Sequence, residues 1–83
     1  MAKIFYPEET IIVKASEPHP TDTQYKVSVG LEDWNGTFVK VVKVQMVYDG
    51  VVAGRRSPSF PIGTDDIYRV NEAIDKLLNR NEG

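Results

Sequence analysis

Apolar and polar residues alternate along two runs separated by Asn35-Gly36. The first run is Tyr25-Lys26-Val27-Ser28-Val29-Gly30-Leu31-Glu32-Asp33-Trp34. The second, from Thr37 to Tyr48, is dense in β-branched and aromatic residues, which favour strands. Alternation of this kind predicts two half-buried strands, and Asn-Gly supplies the two positive-φ positions of a type I′ turn. A two-residue turn fixes the register. Tyr25 should face Met46, Val27 should face Val44, Val29 should face Val42 and Leu31 should face Lys40. With Phe38, those pairs make one apolar face. The opposite face pairs Lys26 with Gln45, Ser28 with Lys43, Gly30 with Val41, Glu32 with Val39 and Trp34 with Thr37. One side of the hairpin is core, and the other is polar, partly basic and bears the only Trp.

The flanking patterns complete the architecture. Thr10 to Ala15 has the β-branched density of a first strand, with a loop through Pro18-His19-Pro20 after it, where prolines remove backbone donors. His19 is expected to be an exposed loop residue without a role. Asp49-Gly50 marks a second turn, and the chain returns as a fourth strand within Val51 to Phe60. A tight turn there would set Arg56 opposite Lys43 but Arg55 opposite Val44, on the apolar face, at a cost. A bulge at Gly54 would reset the alternation, and so would a longer loop with pairing resumed near Arg55. The longer loop is preferred. Pro58 and Pro61 confine this stretch to an edge. Thr64-Asp65-Asp66 then caps a helix, the two acids favouring its positive end. Ile67, Val70, Ile74, Leu77 and Leu78 form its apolar stripe, with Ala73 beside them, to about Asn79. That stripe is broad enough to cover a sheet face, a partner helix, or both. Asp65–Arg69 and Glu72–Lys76 are expected as i,i+4 pairs on the solvent side.

The predicted fold is therefore α+β. A four-stranded, mainly antiparallel sheet is followed by one C-terminal amphipathic helix (ββββα), in a single domain over residues 1–83 with loose ends at 1–9 and 80–83. A chain this short buries only about 60–65% of its extended surface, so dimerisation would add core.

Composition removes several classes of function. There is no cysteine, hence no disulfide framework and no thiolate metal site, and one histidine cannot make a His-rich one. No run approaches the roughly 18 apolar residues of a membrane span. Met1 to Pro7 lacks the apolar stretch of a secretion signal, so a cytoplasmic protein is expected. Net charge is −2, which disfavours a generic polyanion binder. Its distribution is uneven: residues 25–63 carry five Lys or Arg against three acids, while both flanks are acidic.

Candidate chemistry follows that distribution. Glu32 and Asp33 are neighbours in a strand and point to opposite faces, so they cannot share a proton. Asp65 and Asp66 are accounted for by the helix cap. No Ser or Thr has a base in the pattern. An enzyme is not expected, nor a cofactor, a metal or a small-molecule substrate. Lys26, Lys43 and Arg56 can line up across three strands, with Ser28 and Gln45 between them and Trp34 at one end. Arg55 and Lys40 can reach the same rim. Cations tracking a backbone, with an aromatic for stacking, suit sequence-tolerant binding of single strands. Two structural readings compete: Lys40 and Lys43 can serve as gatekeepers of a valine-rich run, and Trp34 can fold over the hairpin end as core.

Val27-Ser28-Val29, Trp34-Asn35-Gly36 and Gly54-Arg55-Arg56, followed by an amphipathic helix, resemble the transcriptional coactivator family called positive cofactor four. The resemblance covers about residues 24–79, and Ser57-Pro58-Ser59 departs from it. It implies a homodimer with packed helices, whose curved sheets bind single-stranded DNA with little sequence preference. It also implies phosphate contacts from Lys26, Lys43, Arg55 and Arg56, and stacking on Trp34. Single-stranded DNA, or RNA, is thus the expected partner, at a site comprising Lys26, Ser28, Trp34, Lys43, Arg55 and Arg56. The alternative is a small homodimeric scaffold without a nucleic-acid ligand.

Overall fold

Asn35 and Gly36 sit at φ 55° and 91°, and Asp49 and Gly50 at 51° and 80°, so both bends are tight turns in the left-handed region. The computed structural model describes residues 4–82. Four strands, β1 (Phe5–Lys14), β2 (Thr23–Trp34), β3 (Thr37–Tyr48) and β4 (Val51–Ala53), precede one helix, α1 (Asp66–Glu82). The strands form one antiparallel sheet in the order β1-β2-β3-β4. This is the α+β arrangement expected, and β2 pairs with β3 in the register written from the Asn-Gly turn, from Trp34↔Thr37 to Tyr25↔Met46 and beyond.

Two boundaries differ from expectation. β1 starts at Phe5 rather than Thr10, so the stretch expected to be loose is paired from Phe5 onward. Residues 1–3, the rest of that expected loose end, lie outside the described residues. Pro7 fits because β1 is an edge strand, where a missing N–H breaks no ladder bond on the open side. A register shift between Pro7 and Glu9 absorbs the change of direction. At the second turn the preferred longer loop is wrong: Tyr48 pairs directly with Val51 and Val47 with Val52. Pairing ends at Ala53, and the Arg56 amide donates to the Ala53 carbonyl at 3.1 Å. The chain therefore leaves the sheet before Arg55 would have to face Val44. At the other end α1 runs to Glu82, past the expected end near Asn79, and Gly83 lies outside the described residues.

Thr64 caps α1, its hydroxyl accepting from the Asp66 amide at 3.4 Å while donating to the Pro61 carbonyl at 2.8 Å. The helix packs chiefly on β1 and β2. Val70, Ala73 and Leu77 meet Val13, Tyr25, Val27, Val29 and Met46 in the core. Each large side chain fully buried there is worth about 1.5–3 kcal/mol. The predicted helix stripe divides, however. Ile67 and Leu78 remain 37% and 39% exposed, and Phe38 and Val42 on the same side of the sheet are 55% and 40% exposed.

Candidate nucleic-acid interface

The face of the sheet away from α1 carries Lys26 from β2, Lys43 and Gln45 from β3, and Phe5 and Pro7 from β1. These side chains, with Val52, Gly54 and Arg55 at the β4 end, line a groove of about 360 Å3. β1 forms one wall because its backbone presses onto Gly30: a Cβ there would lie 2.2 Å from the Tyr6 carbonyl oxygen. The Tyr6–Pro7 backbone thus occupies space that any side chain on residue 30 would need. Phe5 reaches far enough for the Lys43 ammonium to sit 5.2 Å from its ring centre. Three cations in one groove with an aromatic wall can hold an anion and offer an apolar surface beside it.

The expected site residues are sorted unevenly by this geometry. Lys26, Lys43 and Arg55 come together, and among the described residues Lys26 and Arg55 enter no ion pair. Trp34 stands on the same face at the hairpin end, 46% exposed, with its indole N–H donated to Glu32 Oε1 at 2.8 Å. Its ring is not core. Ser28 has to be withdrawn: it is fully buried and its hydroxyl bonds that of Thr10 at 3.0 Å, so it presents nothing to a ligand. Arg56 does not join the line of cations, because the early end of β4 turns it to stack 5.7 Å from the centre of the Tyr48 ring, which packs against the core. Lys40 belongs to the apolar parity and pairs with Glu8 at 3.3 Å, away from the groove.

Glu32 and Phe5 were missed as members of the site. Glu32 is only 7% exposed and forms an ion pair with Lys43 besides accepting from Trp34. Its placement on the basic face was legible from strand parity. Phe5 was hidden by reading residues 1–9 as an end, although Gly30 inside a strand is itself a signal of close backbone approach.

A second polar cluster lies under the start of α1. Asp66 is fully buried rather than a solvent-facing cap residue. Its carboxylate accepts from the Ser16 amide at 2.9 Å, from the Tyr25 hydroxyl at 2.8 Å and from Arg69 Nη2. Arg69 keeps its expected pair with Asp65 at 3.0 Å and adds a bond to the Lys14 carbonyl at 2.8 Å. Burial alone would push the Asp66 carboxyl up, but the bonds from Ser16, Tyr25 and Arg69 outweigh it and hold it down at about 2. Burial, and then the bond to Asp66, raise the Tyr25 hydroxyl well above its ordinary value. His19 also has a structural role, contrary to expectation: Nε2 donates to the Ser59 carbonyl at 2.9 Å, and its ring meets Tyr25 edge-on at 5.8 Å. Acid, base and hydroxyl here are bound to one another, tying the loop, the sheet and the helix together.

Among the described residues no cluster of His, Cys, Asp or Glu could hold a metal, and no helix is long and apolar enough to cross a membrane. Comparison with protein-family models, curated proteins and solved structures gives no match to this chain.

Proposed function

We propose that this chain is a non-catalytic binder of single-stranded nucleic acid, DNA in the first instance, acting in transcription or another process that exposes single strands. The observation that carries the reading is one groove lined by Lys26, Lys43 and Arg55 on the face that also displays the exposed Trp34 ring. Lys26 and Arg55, which have no acidic partner among the described residues, hold phosphates. Trp34, held through its N–H and 46% exposed, stacks a base. Little sequence preference follows, since every base offers a stacking surface and phosphates carry no sequence.

Fluorescence titration with oligo-dT at several salt concentrations tests the proposal. Two phosphate contacts predict that log affinity falls with log salt at a slope of about −1.4, from about −0.7 per contact on single strands. Trp34 emission should be quenched, and Trp34→Ala should weaken binding by about 1–3 kcal/mol. No binding at low salt would remove the reading.

The exposed Ile67 and Leu78 of α1, with Phe38 and Val42 of β3 exposed on the same side of the sheet, support the companion proposal of a homodimer closing over that side. It would stand even for a scaffold without nucleic acid. Sedimentation should show a dimer for the natural chain and a monomer for Leu78→Glu. A monomeric natural chain at high micromolar concentration would count against it.

A further inference from the structure

Glu32 is a carboxylate set into the face that is proposed to hold phosphates. It is 7% exposed, pairs with the Lys43 ammonium and receives the Trp34 indole N–H at 2.8 Å. It sits at the β2 position paired with Phe5, the residue whose ring lies under that same ammonium. A chain of contacts, Trp34–Glu32–Lys43–Phe5, therefore runs across the sheet from the stacking ring to the wall of the groove. A side chain on a protein surface can satisfy a lysine in many ways that leave it available. Glu32, nearly buried and set beside an aromatic wall, holds the lysine in one place instead.

Resting on the nucleic-acid reading above, we infer that Glu32 is a positioning residue that acts as an internal anion, cancelling Lys43 within the groove and orienting Trp34. Three cations line the groove, but only two count toward phosphate binding. The acid sets the affinity at a moderate value and keeps the strand exchangeable. Its second oxygen fixes the indole, so that the ring is presented without further ordering cost when a base arrives. The two jobs separate chemically: Gln at this position keeps an oxygen for the Trp34 N–H while deleting the charge.

The test is a set of salt titrations with oligo-dT on the natural chain, Glu32→Gln, Lys43→Met and the double variant, each first checked for an unchanged circular-dichroism spectrum. Glu32→Gln should steepen the slope by about 0.7 and tighten binding about five- to tenfold at 50 mM salt. Lys43→Met should make the slope shallower by a similar amount, because the acid then opposes a remaining cation. The double variant should return to the natural slope, and this is the deciding outcome. If Lys43 touched phosphate itself and Glu32 were idle, Glu32→Gln would leave the slope alone and the double variant would stay shallow, overturning the inference while oligonucleotide binding survived. If Glu32→Gln does not fold, the natural chain's own slope decides: about −1.4 fits two cations that count, and about −2.1 means that Lys43 counts as a third and overturns the inference. Absence of binding by every form overturns the nucleic-acid reading itself.

Discussion

Replacing Asp66 by alanine should destabilise the protein by about 2–4 kcal/mol, the cost of leaving several donors of a buried network without their acceptor. Arg69, the Tyr25 hydroxyl and the Ser16 amide all direct donors at this carboxylate. Asp65 and the Ser59 carbonyl offer Arg69 and Tyr25 second acceptors, and they set the loss below that of a wholly buried pair. A protein of 83 residues holds only about 4–12 kcal/mol in total, so the variant gives up a large share of it and should unfold at a markedly lower urea concentration. Urea unfolding read by far-ultraviolet circular dichroism measures it, and a loss under 1 kcal/mol would show that the cluster is not a unit. Asp66→Asn should fare little better, since an amide keeps one acceptor but meets Arg69 without charge.

The same carboxylate fixes the acid limit. Its folded value of about 2 lies below the ordinary 3.8, so the folded form binds the proton less tightly than the unfolded chain does. The stability it supplies is complete above about pH 4 and is lost as pH falls toward 2, amounting to about 2 kcal/mol. Unfolding midpoints measured across that interval should fall for the natural chain and stay flatter for Asp66→Asn. At the alkaline end the sign reverses. Tyr25 resists ionisation in the fold, so stability should decline once pH exceeds about 10, where an unfolded tyrosine ionises.

Why the hairpin was legible and this cluster was not is a matter of range. Asn35-Gly36 is a local instruction, and with side chains alternating between faces it dictates every pair from Trp34↔Thr37 outward. The division into an apolar face and a basic face followed from the turn alone. Asp66 also obeyed a local rule, standing in the first turn of a helix where acids are favoured. Its burial depends on Ser16, fifty positions earlier, and on Tyr25 across the sheet, and no periodicity in the chain encodes that meeting. Ser28 was misjudged for a related reason: strand parity placed it correctly on the face opposite α1, but parity does not reveal that Thr10 covers it. Arg56 depended on where β4 stops, which is set by the turn bonding Arg56 to Ala53. The preferred longer loop erred by assuming that pairing must continue to Arg55, when a three-residue strand avoids the apolar face altogether. Lys26, Lys43 and Arg55 meet because the curl of β1 and the short β4 build walls on either side of positions that alternation had already aligned.

Gly30 is where that wall can be broken. Gly30→Ala would place a methyl group 2.2 Å from the Tyr6 carbonyl oxygen and 2.7 Å from the Pro7 Cα. Both obstacles are backbone, so no rotamer change relieves them, and β1 must move by an ångström or more. Overpacking of this kind costs about 1–3 kcal/mol, and a rigid obstacle puts the expected value at the upper end. Because the register shift between Pro7 and Glu9 already separates the two halves of β1, the outer half should detach while Thr10–Lys14 stays paired. Hydrogen exchange should then show protection lost at whichever of the Phe5 and Tyr6 amides bonds β2 and kept at the ladder-bonded amides between Ile11 and Val13. Detachment would also carry Phe5 away from Lys43 and open the groove on one side. Oligonucleotide binding should weaken in Gly30→Ala beyond what its loss of global stability explains, because the Phe5 wall is lost while Lys26 and Lys43 stay in place. Unchanged exchange at Phe5 and Tyr6, with stability intact, would mean that β1 slides freely on β2 and that its close approach to Gly30 shapes nothing.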